Sequence, residues 1–134
     1  MLKRTLFAFF AISILFVAGG CNRSKTEKIR DISYTVVKTE DIPQELLTQI
    51  EEKKEARFKL TYDDGAYLYI ASGYGQQETG GYSIAVKELY LAENAIYFLT
   101  ELYGPQKGDS LHEAPSYPYI VVKTESIDKS VVFK

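Results

Sequence analysis

Three features of the chain predict a mainly β domain with one short helix, built as an antiparallel β-sandwich or a barrel. Arg57 to Asp63 (RFKLTYD) alternates apolar and polar residues with period two, the mark of a strand with one wet face. Asp64-Gly65 follows as a tight hairpin signal, and Ala66 to Ala71 (AYLYIA) returns as the partner strand. Further short strand-like runs recur every 8 to 14 residues, with 11 tyrosines and seven phenylalanines that favour pleated surfaces.

The first 20 residues stand apart from that domain. Lys3 and Arg4 precede an apolar run, Leu6 to Val17, and then Ala18, Gly19, Gly20 and the only cysteine, Cys21. The run is shorter than the roughly 20 apolar residues a membrane-spanning helix needs, and it has the length of a secretory h-region. Residues 1–20 are therefore read as a signal peptide. A cysteine directly behind AGG resembles the lipobox of bacterial lipoproteins. That resemblance implies cleavage before Cys21, acylation of its thiol, and lipid anchoring on the extracytoplasmic face of the cell membrane. Two or more acyl chains hold a protein stably on a bilayer, whereas one is marginal. The other reading is an ordinary secretory signal with a free thiol. Lack of disulfides and a Lys/Glu/Tyr-rich composition point to a Gram-positive surface.

Removing residues 1–20 leaves 114 of the 134 residues and takes away Lys3 and Arg4, so that 14 basic residues face 18 acidic ones, a formal charge of −4. A mildly acidic chain with dispersed charge argues against nucleic acid as a partner. One cysteine allows no internal disulfide, so stability must come from a buried core. Residues 21–32 are read as the lipidated N-terminus and a flexible tether, since Asn22 to Asp31 is polar without an apolar period. Residues 33–134 form the single β-rich domain.

Within it, Ser33 to Thr39 reads as a first strand. The helix follows, with Asp41 as its N-cap, Pro43 in its first turn and Ile42, Leu46, Leu47 and Ile50 as its apolar stripe. The charged run Glu51 to Glu55 is read as a solvated face. After β-strand Ala66–Ala71 comes a Gly-rich loop, SGYGQQETGGY (Ser72 to Tyr82). The strand beyond it alternates through Tyr82, Ile84 and Val86, then slips at Leu89 and Leu91, so a bulge near Lys87–Glu88 must repair the register. Glu93-Asn94 turns the chain into Ala95 to Tyr103, a central strand apolar on both faces. A polar loop, Gly104 to Pro115, leads to a strand over Tyr117 to Thr124, and Val131 to Phe133 adds a short edge.

Nothing in this order of residues carries a reaction. His112 is the sole histidine and lies in a Gly/Pro loop without a nucleophile-elbow serine. Asp63, Asp64, Asp109 and Glu113 lack the spacing of a calcium loop, and the first pair reads as hairpin-turn aspartates. Gly73, Gly75, Gly80 and Gly81 match neither GxGxxG nor a P-loop, and a strand rather than a helix follows them. No enzyme activity, cofactor or metal site is expected.

Residues Tyr67 to Lys123 do resemble a known family. YLYIASG, TGGYSIAVKEL (Thr79 to Leu89) and SYPYIVVK (Ser116 to Lys123) look like the C-terminal domain of the PrcB family, lipoprotein subunits of a bacterial surface protease complex. The resemblance spans about residues 67–124. It implies an accessory or stabilising protein for a secreted or envelope protease, not a protease. The segment TGGY (Thr79 to Tyr82) is also similar to the Thr-Gly-Tyr loop of chagasin-like inhibitors of cysteine proteases. It differs by an added Gly, and the chain has no tryptophan for the second inhibitory loop. A third reading is a binder of cell-wall glycan or a small ligand on an aromatic platform. For the protein-binding reading the candidate contact residues are Tyr74, Thr79, Gly80, Gly81, Tyr82, Tyr117 and Tyr119, on or beside the Gly73–Tyr82 and Gly104–Pro118 loops. Tyrosine offers large contact area at low entropic cost, and it serves a sandwich core equally well.

Overall fold

A computed structural model describes residues 27–109 and 113–134. The signal segment 1–20, Cys21, the first part of the tether and His112 lie outside the described residues. Eight strands are present among the described residues: β1 (Lys28–Asp31), β2 (Thr35–Val36), β3 (Arg57–Asp63), β4 (Tyr67–Tyr74), β5 (Ser83–Ala92), β6 (Ile96–Tyr103), β7 (Tyr119–Glu125) and β8 (Val131–Phe133). A 3-10 turn (Thr39–Asp41) and helix α1 (Gln44–Lys53) stand between β2 and β3.

The strands form two four-stranded sheets, ordered β1-β5-β6-β8 and β2-β7-β4-β3. Among the described residues each sheet has two free edges, so the fold is sandwich-like and not a closed barrel. Helix α1 adds a third layer on the outer face of the β2-β7-β4-β3 sheet. The alternation of the strands explains both cores. Leu68, Ile70 and Val122 face inward and meet Leu89, Ile96 and Phe98 of the opposite sheet, with Phe133 edge-on to Phe98 at 6.0 Å. The other parity of the same strands, Phe58, Tyr69, Ala71 and Val121, turns outward beneath Ile42, Leu46 and Ile50 of the helix segment. Leu46 and Ile50 are fully buried, and burying such a side chain contributes about 1.5–3 kcal/mol.

Several expectations hold. β3 spans the anticipated residues, and its Phe58, Leu60 and Tyr62 all face the helix. The β5–β6 register shifts between Val86 and Glu88, so the extra Lys87 lets Val86 share the inner face with Leu89 and Leu91. β6 is an interior strand between β5 and β8.

Other expectations are corrected. The tether ends earlier than its composition implies, because Lys28–Asp31 is a strand paired with β5, Asp31 opposite Tyr90. Its four residues are all exposed, so no apolar period announces it. The first strand shrinks to Thr35–Val36. Asp41 belongs to the 3-10 turn, and Pro43 occupies the helix N-cap position without a side-chain cap. The hairpin turns on Gly65–Ala66: Asp64 N–H donates to Tyr67 O at 3.1 Å, and Gly65 has φ +92°. Finally, β8 pairs with β6 in parallel, Ile96 opposite Val131, so the sandwich is not wholly antiparallel.

Candidate partner-binding loops

The Gly-rich segment divides into two parts with different roles. Ser72, Gly73 and Tyr74 continue β4 and are at least half-buried, so the free loop begins only at Gly75. Gly73 is held in the strand by its neighbour: a Cβ there would stand 2.1 Å from Cε1 of Phe58, opposite in the β3–β4 pairing. Gly75 has φ +77°, and a Cβ would meet the Arg57 nitrogen at 3.1 Å. Both positions require glycine, one for close approach and one for backbone sign.

From Gly75 onward the loop is laced to segments distant in sequence. Gln76 N–H donates to Glu55 O (3.1 Å), on the connection between α1 and β3. Gln77 and Ser116 exchange backbone hydrogen bonds at 2.8 and 3.0 Å, and Tyr74 N–H donates to Pro118 O at 3.0 Å. Ser116 Oγ donates to Thr79 O at 2.6 Å. Tyr82 closes the loop with its ring over Gly104, whose Cβ would lie 3.3 Å from Tyr82 Cε1. The two loops proposed from composition therefore do meet at one end of the sandwich.

The individual residues fall into two groups. Tyr74 and Tyr119 are built into the domain. Tyr74 Oη lies 2.6 Å from Thr100 Oγ1 on β6, bridging the two sheets, and the Arg57 guanidinium sits 5.0 Å from its ring centre. Tyr119 packs beside Phe58, ring centres 6.2 Å apart, in the core under the helix. Thr79, Gly80, Gly81, Tyr82 and Tyr117 remain at the surface or half-buried. Tyr117 leans toward the end of α1, where Lys54 Nζ is 5.4 Å from its ring centre. The Glu51 carboxylate hydrogen-bonds that ammonium and raises its pKa.

Tyr103, which the sequence placed in an apolar strand, stands at the same end and is 42% exposed. It lies opposite Ser83 in the β5–β6 ladder. Its hydroxyl accepts from Lys87 Nζ and donates to Glu101 Oε2, each at 3.0 Å. The bond to Tyr103, and then the Glu101 carboxylate 3.4 Å from Lys87 Nζ, raise the Lys87 pKa. The alternation of β6 could have flagged it, because Tyr97, Leu99, Glu101 and Tyr103 share the parity opposite to Ile96 and Phe98.

The aspartates are turn formers, Asp63 and Asp64 at the opposite end of β4 and Asp109 within the second loop. Asp63 accepts from Gly65 N–H at 2.8 Å, and Asp64 accepts from Ala66 and Tyr67 N–H at 2.9 and 2.7 Å. Asp109 accepts from Gln106 N–H at 2.6 Å. Among the described residues no group of three His, Cys, Asp or Glu side chains could hold a metal ion.

The site thus belongs to a sandwich domain that presents a hydrogen-bonded pair of loops rather than a reactive cluster. Residues 68–125 match the family model described as PrcB C-terminal. The match runs from the start of β4 to the end of β7 and encloses both loops. No curated protein and no solved structure matches the chain.

Proposed function

We propose that this chain is a lipid-anchored, extracytoplasmic, non-enzymatic binding protein, an accessory or stabilising partner of a secreted or envelope protease. The observation that carries the reading is the clasp between the loops. Gln77, Thr79, Ser116 and Pro118 fix two segments of a PrcB C-terminal domain against each other. A surface held in one shape before binding loses little entropy on association. Thr79 to Tyr82 and Tyr117 are the contact residues, and Tyr103 extends the surface along β5 and β6. Acylation of Cys21 supplies the anchor in this reading, and a protease complex is the partner that the match to the PrcB C-terminal model suggests.

The test is a crosslinked pull-down from native membranes with the tethered protein, beside a Tyr82→Ala/Tyr117→Ala variant. Partners are identified by mass spectrometry, and a thermal melt checks that the variant folds. Recovery of a secreted protease by the wild type, at least tenfold reduced in the variant, supports the proposal. Recovery of wall fragments alone would overturn it in favour of glycan binding. Slowed turnover of a papain-type protease by the purified protein would favour inhibition instead.

A further inference from the structure

Among the described residues, the four strands that border the sheets are unequal. β1 has four residues, β2 two and β8 three, whereas β3 presents seven. A long exposed edge is a template for another strand, and proteins ordinarily shorten or cover it. The phase of the β3–β4 ladder follows from the hydrogen bond of Asp64 N–H to Tyr67 O. Hydrogen-bonded pairs alternate, so Phe58, Leu60 and Tyr62 bond to β4, while Arg57, Lys59, Thr61 and Asp63 turn their N–H and C=O groups to the open side.

We propose that β3 pairs antiparallel with β3 of a second copy of this chain, centred on Leu60. In that register Arg57 faces Asp63 and Lys59 faces Thr61, all residues whose backbone groups point outward. Phe58 faces Tyr62 and Leu60 faces its own copy, on the helix side of both sheets. Every one of the seven positions is paired, the two Arg57–Asp63 pairs are of opposite charge, and the apolar residues meet apolar residues. Two neighbouring registers share the hydrogen-bond phase but fit less well. Each pairs only five of the seven residues: one sets Lys59 against itself, and the other leaves Arg57 opposite the turn glycine.

The surroundings favour the same occupant. Leu60 and Tyr62 are only half-buried, because the sheet ends beside them. A groove of about 520 Å³, lined by Glu52, Lys53, Phe58 and Leu60 among others, runs between the end of α1 and this edge. Tyr62 of the second copy would lie beside Phe58 in that groove. The product is one continuous eight-stranded sheet with both helices on one face.

The experiment uses the full chain in mild detergent with Cys21→Ser, to remove the native thiol. Facing residues of a non-hydrogen-bonded pair have Cα atoms about 4.5 Å apart, within disulfide reach. Leu60→Cys should therefore form a disulfide-linked dimer under mild oxidation. Thr61→Cys, offset from its own copy by two residues, should do so at least tenfold more slowly. Independently, Arg57→Glu with Cys21 retained should raise the dimer dissociation constant in sedimentation about tenfold or more, with unchanged far-ultraviolet circular dichroism. Equal crosslinking at 60 and 61 would overturn the register. A monomer at all concentrations, a dimer indifferent to Arg57→Glu, or an edge that captures only a different protein would overturn the proposal.

Discussion

β4 is entered through the Gly65–Ala66 turn and left through the Gly75–Tyr82 loop, and the two connections are held by different kinds of contact. At the entry, Asp63 and Asp64 carboxylates meet N–H groups two to three residues away. At the exit, the partners are Glu55, Ser116 and Pro118, on other elements of the fold. Gly65 has open space where a Cβ would be, whereas Gly73 has a phenyl ring there. The entry turn is specified by its own residues. The exit loop takes its shape only after β3, β4 and β7 have assembled.

The largest effect should come from setting the two glycines against each other. Gly73→Ala forces Phe58 out of its place between sheet and helix, and overpacking of this kind costs about 3 kcal/mol. For a domain of this size that lowers the melting temperature by about 12 °C or more. Gly65→Ala, with strain at positive φ but no clash, should cost about 1 kcal/mol. Adding Phe58→Leu to Gly73→Ala should recover part of the loss in denaturant titrations. If Gly65→Ala proves the more damaging, the contrast between a local and an assembled turn fails.

A second comparison separates Tyr74 from Tyr82, neighbours on the same Gly-rich stretch. Tyr74→Phe removes the bridge to Thr100 and should cost about 1 kcal/mol, the usual worth of such a hydrogen bond. Thr100→Val should cost a similar amount, and the double variant less than the two losses together, since both remove one interaction. Tyr82→Ala should change stability less than Tyr74→Ala. A Tyr74→Ala protein that melts like the wild type would return Tyr74 to the contact surface.

The same contrast explains what could be read from the residues alone. β3, the hairpin and the bulge at Lys87 are legible because side-chain periodicity and turn chemistry are properties of adjacent residues. Lys28–Asp31 is invisible as a strand, since an exposed edge needs no apolar period. The parallel pairing of β8 with β6 is a matter of topology and leaves no trace in VVF. At the candidate site, composition located both loops. The direction of each tyrosine was beyond it, because Tyr74 and Tyr119 differ from Tyr82 and Tyr117 only by what lies across the fold: Thr100 and Phe58 for the first pair. Gly73 is the sharpest case, a strand residue that reads as loop until Phe58 is placed over it.

The smallest effect tests whether the entry turn is as local as its bonds imply. The N–H groups of Tyr67 and then Ala66 hold the Asp64 carboxyl below its ordinary pKa. A depressed folded-state pKa stabilises the native form above the unfolded value, near 4, and that stabilisation is lost as pH falls through the folded value. Asp64→Asn keeps an acceptor in place but removes the charge. The wild type should therefore melt higher than Asp64→Asn at pH 7, and the gap should close as pH drops below about 4. Because the two leading donors lie within residues 64–67 and the lesser contributor, Lys123, is remote from the clasp, the gap should be unchanged in a Ser116→Ala background, where the clasp at the other end of β4 loses its side-chain bond to Thr79. A gap that shifts with Ser116→Ala would mean that the two ends of β4 are coupled through the strand.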